Sequence, residues 1–159
     1  MNQGQESNLS GTFLEQTVER AFNQRGVRSV LWREKYRNDD LFEDRLLLKQ
    51  VPFSSLYIGH EARIDFVFRL GPLFKLAIEC KAQNDSGSVD EKFPYVLLSA
   101  QKAMPWENIW ILLFGGGFRS GGRSWLEENA KAIPGKIIRV MDLNQFQRAL
   151  KPLVESGIA

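Results

Sequence analysis

The chain has 159 residues, 43% hydrophobic and 25% charged, with a net charge of +2 and a sequence pI of about 8.8. That length favours one domain around one core, and the mild basicity points only weakly to an anionic partner. One cysteine (Cys80) and one histidine (His60) exclude an intramolecular disulfide and a Cys/His zinc site, so any metal should be held by carboxylates and carbonyls, the donors of a hard ion such as Mg²⁺.

Residues 1–10 are polar and carry no apolar signal core, and no apolar run reaches the roughly 20 residues of a membrane span. A cytoplasmic protein is expected, or one of the host cytoplasm if the source is viral, with no membrane partner. Residues 1–9 read as a flexible tail and residues 10–159 as a single domain. A helix begins near Ser10 or Thr12, where Phe13, Leu14, Val18, Ala21 and Phe22 recur at helical spacing, and Gly26 is its stop. Residues 27–42 mix aromatics with Arg33, Lys35 and Arg37, consistent with a short strand and a loop.

Residues 46–53 read as a strand. Residues 63–70 alternate, with Ile64, Phe66 and Phe68 on one face and Asp65, Val67 and Arg69 on the other. Gly71-Pro72 is a turn. Residues 74–82 alternate again: Phe74, Leu76, Ile78 and Cys80 face one way, Lys75, Ala77, Glu79 and Lys81 the other. A polar loop over 84–88 leads to a helix starting near Glu91 or Pro94 and ending at Ala103. Residues 108–114 form a near-continuous apolar run, the mark of a buried central strand. A loop over 115–122 holds five glycines. A helix over 124–132, a strand over 136–141 and a helix over 143–154 complete an α/β fold around a mixed β-sheet flanked by helices.

Glu79 and Lys81 share one strand face, roughly 7 Å apart along the backbone. If Gly71-Pro72 closes an antiparallel hairpin, Asp65 falls opposite Glu79 within about one residue. Two carboxylates and an ammonium then converge, and converging carboxylates call for a cation between them. The plainer alternative is a solvated strand face with a surface ion pair, worth under about 1 kcal/mol. Burial of Ala77 and Val67 on that face argues against it.

Asp65, then a gap of 13 residues, then Glu79-Cys80-Lys81 resembles the D-x(n)-(D/E)-x-K signature of the PD-(D/E)XK nucleases, which include type II restriction enzymes and archaeal Holliday-junction resolvases. The Pro that precedes the Asp in the family is replaced by Ile64. The resemblance implies a restriction-endonuclease-like core, Asp65 and Glu79 as metal ligands, and Lys81 as the catalytic lysine. It adds Gln83 to the catalytic set, Glu15 of the first helix and the Cys80 backbone carbonyl to the metal set, and Lys92 near the site. The implied cofactor is Mg²⁺, with Mn²⁺ as a substitute. The implied reaction is endonucleolytic hydrolysis of DNA, of restriction or homing type, with a junction resolvase or a non-catalytic DNA-binding module as the alternatives. Cutting both strands calls for a homodimer or higher symmetric oligomer.

Other residues carry two readings. Glu15 is a metal ligand or, with Thr12, half of a capping box. The glycine-rich loop is a flexible turn or a contact to the DNA backbone, with Arg119 and Arg123 adding charge. His60 is a loop residue, the Cys80 side chain a core residue, and Trp106, Trp110 and Trp125 core or interface aromatics.

Overall fold

The computed structural model describes residues 3–37, 44–84 and 87–156, with the side chains of 3–9 and 35–37 excepted. Met1, Asn2, Phe42, the side chains of Lys35 and Arg37, and the last three residues of the proposed domain lie outside that description. Six strands form one mixed sheet whose spatial order follows the chain: β1 (Arg28–Leu31), β2 (Arg45–Ser54), β3 (Glu61–Leu70), β4 (Phe74–Ala82), β5 (Asn108–Phe114) and β6 (Ile137–Met141). β2, β3 and β4 form an antiparallel meander, whereas β1–β2, β4–β5 and β5–β6 are parallel.

The parallel pairs need crossovers. α2 (Phe93–Lys102) joins β4 to β5 and α3 (Gly122–Lys131) joins β5 to β6. Two right-handed crossovers advancing in one direction fall on one face of the sheet. There Phe93, Leu97, Ala100 and Leu126 pack on Val67, Ala77, Ile109 and Ile111. The opposite face is covered by α1 (Gln3–Asn23) and α4 (Leu143–Ser156), where Leu14, Val18, Phe22, Phe146 and Leu150 bury Phe66, Phe68, Leu76, Ile78 and Trp110. Truncating a ring buried in this way costs on the order of 3–5 kcal/mol. The near-continuous apolar run of β5 follows from its position: it feeds both cores at once. Among the described residues no helix is long and apolar enough to cross a membrane.

α1 differs from expectation in starting at Gln3, so it takes in residues 3–9, which the sequence set aside as a tail. Thr12 and Glu15 are therefore interior to the helix, and the capping-box alternative for Glu15 falls. A second difference lies in β3. Phe66 and Phe68 share one face as expected, packed against α1 and α4, but Ile64 packs with Val67 on the other core, so the alternation reverses phase across Asp65. β2 slips at the same level: Leu48 and Val51, three apart, belong to one core. Between them Gln50 has φ of +55°, the one non-glycine residue with positive φ among those described. Gln50 and Asp65 stand opposite each other between the regular pairs Lys49↔Phe66 and Val51↔Ile64. A non-glycine residue in this region is strained, and such strain clusters at functional sites.

Candidate active site

The hairpin register places the site. β3 and β4 pair from Leu70↔Phe74 at the Gly71 turn to Phe66↔Ile78, and there the ladder stops. One step further, Asp65 and Glu79 are the next opposed residues, as the sequence suggested. The Cys80 N–H, instead of meeting a β3 carbonyl, donates to Asp65 Oδ2 at 2.7 Å. β4 continues alone with β5, from Glu79↔Ile111 to Ala82↔Phe114. The two strands therefore fork at Asp65 and Glu79. A strand residue presents its N–H and C=O to the same side, so the Cys80 carbonyl also faces the fork. Its thiol packs toward the α1 and α4 core, where burial, followed by the charge of Asp65, pushes its pKa well up, so redox or nucleophilic chemistry at Cys80 is disfavoured.

Four ionisable side chains from three elements meet at the fork. Lys81 Nζ donates to Glu79 Oε1 at 2.6 Å, with the two side chains only 22% and 13% exposed. Glu15, on α1, lies near the Asp65 and Glu79 carboxyls; burial and the charge of Glu79 raise its pKa. The Asp65 carboxyl is pushed up to about 8, first by burial and then by the charge of Glu79, against the lowering effect of the Cys80 N–H. Burial works to lower the pKa of Lys81, but the charge and hydrogen bond of Glu79 outweigh it and hold the group as an ammonium above its ordinary range. A surface ion pair does not account for this arrangement. Glu79 and Lys81 are mostly covered, and three acids face one base.

A family model described as a PD-(D/E)XK nuclease superfamily domain matches residues 6–151, nearly the whole chain. The chain belongs to the PD-(D/E)XK nuclease superfamily. No curated protein and no solved structure gives a match. The six-stranded mixed sheet flanked by four helices agrees with that membership. Enzymes of this superfamily are nucleases and generally use divalent metals, with DNA the substrate that such a domain implies.

The donors at the fork of this nuclease domain suit a hard divalent ion: three carboxylates and a backbone carbonyl, all oxygen. The raised Asp65 and Glu15 carboxyls have the electrostatics of groups short of positive charge. Among the described residues no three such groups stand in ligand geometry. Asp65 Oδ2 is turned to the Cys80 N–H and Glu79 Oε1 to Lys81.

The remaining sequence candidates lie elsewhere. Gln83 is buried and its amide is spent on backbone: Nε2 donates to the Gly117 carbonyl at 2.6 Å and Oε1 accepts from the Val89 N–H at 2.7 Å. Its own carbonyl accepts from the Gly117 N–H at 2.8 Å. A Cβ at Gly115 would lie 2.3 Å from that carbonyl, so only glycine fits there, and Gly115 has φ of +101°. Gln83 thus clamps the glycine-rich loop to the end of β4. Asp90, missed by the sequence reading, completes the clamp by accepting the Arg119 N–H at 2.6 Å from a buried position. One acid of the adjacent Asp90-Glu91 pair, just ahead of α2, gives no sequence signal of that role.

Of the basic candidates, Arg123 is bound to Glu127 at 2.6 Å and Gln145 at 2.6 Å, with Asp142 at 3.5 Å. Arg119 pairs with Glu91 at 2.5 Å on an exposed surface. Lys92 is exposed just before α2. His60 is exposed in the β2–β3 turn, Trp106 and Trp110 are core residues, and Trp125 is partly exposed.

Proposed function

We propose that the chain is a divalent-metal-dependent endodeoxyribonuclease, of restriction or homing type, that hydrolyses DNA phosphodiester bonds at the fork between β3 and β4. The observation that carries this reading is the convergence of Glu15, Asp65, Glu79 and Lys81 where the β3–β4 ladder ends. Asp65 and Glu79 would hold Mg²⁺, or Mn²⁺ in its place, with Glu15 and the Cys80 carbonyl as further donors. A divalent cation bound there supplies charge to the phosphoryl oxygen and lowers the pKa of attacking water.

The protein's own groups do the rest. Release of Asp65 Oδ2 from the Cys80 N–H and of Glu79 from Lys81 frees both carboxylates for the ion. The same release frees the Lys81 ammonium to orient water or to stabilise charge on the phosphate. With Glu79 drawn to a cation, the pairing that raises the Lys81 pKa is relaxed, and the lysine would position or activate the attacking water. Gln83 and Asp90 act at one remove, fixing the glycine-rich loop beside the fork. Lys92 and Arg119, with Arg123 behind them, would bind the DNA backbone, and replacing all three should flatten the salt dependence of binding by about one counterion per lost contact. Cutting both strands would use a symmetric homodimer, which light scattering with DNA present tests directly.

A structure-specific junction resolvase is the second reading, favoured by Glu15, which reaches Asp65 from the first helix. The deciding experiment offers linear, supercoiled and four-way-junction DNA to the wild type and to Asp65→Ala and Glu79→Ala, with Mg²⁺ and with EDTA. Cleavage by the wild type that both substitutions and EDTA abolish is expected. Binding without cleavage under every condition would leave a non-catalytic DNA-binding module.

A further inference from the structure

The β2–β3 hairpin reaches past the fork. Its ladder continues to Ser54↔Glu61, whereas β4 leaves β3 beyond Phe66↔Ile78. At about 3.3 Å per residue, the arm from Asp65 to Glu61 extends roughly 13 Å before its turn begins. The turn is closed by the Ser55 N–H to the His60 carbonyl at 2.9 Å, the His60 N–H to the Tyr57 carbonyl at 3.1 Å and the Tyr57 N–H to Ser55 Oγ at 3.1 Å. Its apex carries Tyr57, 65% exposed, and Ile58, fully exposed.

The apex is braced. The Tyr57 ring lies nearly parallel to that of Tyr95 on α2, with centroids 6.3 Å apart and planes at 20°. α2 follows the loop that leaves β4 beyond Lys81, and exposed Lys92 lies three residues before Tyr95. Hairpin apex, Tyr95 and Lys92 therefore stand at the same end of the sheet as the acidic cluster. An isoleucine held out on a hydrogen-bonded turn buries nothing in the fold.

We propose that this apex is a DNA wedge: Ile58 inserts between stacked bases next to the bond to be cut, Tyr57 is stiffened by Tyr95, and Lys92 meets the adjoining phosphate. Apolar side chains of this kind unstack base steps from the minor groove. That groove is about 7.5 Å deep, and the turn with Tyr57 and Ile58 stands beyond Phe53, the last core residue of β2. A second copy of the chain is the weaker occupant. Tyr57, Ile58, Tyr95 and Leu98, one turn along α2, are a small patch beside the roughly 20–30 residues a side of a stable interface. The inference rests on the nuclease reading for where the DNA lies.

The test places 2-aminopurine at successive positions around the cleavage point of the DNA that the wild type cuts best. Fluorescence is read on binding to a non-cutting Lys81→Ala chain. A rise at one base step is expected. Adding Ile58→Ser should abolish it and weaken DNA binding on the order of tenfold, while Ile58→Leu should keep it. In the otherwise wild-type chain, Ile58→Ser should leave the fold intact by circular dichroism. A rise that survives Ile58→Ser, or no rise on a DNA that the wild type binds and cuts, overturns the wedge and leaves the nuclease standing. A patch substitution that dissociates a dimer without touching the fluorescence assigns the patch to a second copy and also overturns it. Failure of the wild type to bind or cut any DNA overturns both readings.

Discussion

Glu15 and Glu19 stand one turn apart on α1 and meet opposite fates. Glu19 Oε1 accepts from Ser29 Oγ at 2.6 Å and Lys49 Nζ at 2.9 Å. Burial works against its charge, but these two donors hold its carboxyl below the usual range. Glu15 is half-buried against two other carboxylates, and its pKa goes up. A single helix thus carries one acid that is finished by the fold and one that is not. Glu19 ties α1 to β1 and β2, and this attachment sets the height at which Glu15 meets Asp65. The satisfied acid positions; the unsatisfied acid is left for a ligand.

The sharpest way to break this contrast is at the one base of the cluster. Lys81→Ala should lower single-turnover cleavage by at least about 10²–10³-fold while DNA binding survives, because Asp65 and Glu79 remain. Arg at this position should rescue poorly, since a guanidinium is too wide for the space beside Glu79. Normal cleavage by Lys81→Ala would return the pair to a covered ion pair and remove the distinction drawn above. Next in size is Glu15→Gln, which should weaken divalent-metal affinity and cleavage by about 10- to 100-fold, read by metal titration of the rate. An unchanged metal dependence would make Glu15 a bystander.

Much of this was legible in the sequence, for identifiable reasons. The Gly71-Pro72 turn and two clean alternations set the β3–β4 register, so the meeting of Asp65 with Glu79 followed from counting. The reversal of phase at Asp65 did not follow, because it depends on Gln50 taking a positive φ on the neighbouring strand, and glutamine carries no such preference. Gln83 was singled out by the family resemblance, but its task is set by contacts with Gly117 and Val89, which no local spacing encodes. Arg123 shows a partial signal: Glu127, four residues on, was the helical partner to weigh before DNA.

A moderate effect tests whether the cluster is short of charge. The folded Asp65 carboxyl titrates near 8 against an ordinary 3.8, so the fold prefers it protonated. That preference is fully present below about pH 4 and is lost as pH rises through about 8. Glu15, also raised, acts in the same direction. In EDTA the melting temperature should therefore fall as pH rises between these limits, more than in Asp65→Asn. Mg²⁺ should raise the wild-type melting temperature more at pH 8 than at pH 5, because a cation at the carboxylates competes with the proton. Thermal scans with and without Mg²⁺ at the two pH values measure this, and an equal gain at both would place the ion elsewhere.

The smallest effect belongs to the satisfied acid. Glu19→Gln removes a charge that is about three-quarters covered and already paired, so it should cost about 1 kcal/mol or less of stability. The sign follows from the lowered carboxyl: its contribution is complete above the ordinary value of 4.5 and disappears as pH falls below it. Denaturation of wild type and Glu19→Gln should then differ near pH 7 and converge toward pH 3, the reverse of the trend at Asp65. Cleavage should change much less than in Glu15→Gln, since Ser29 and Lys49 can still hydrogen-bond the glutamine amide oxygen and keep α1 in place. A Glu19→Gln chain that loses as much cleavage as Glu15→Gln would mean that the tether, not the unsatisfied carboxyl, sets the site, and the division of labour along α1 would have to be given up.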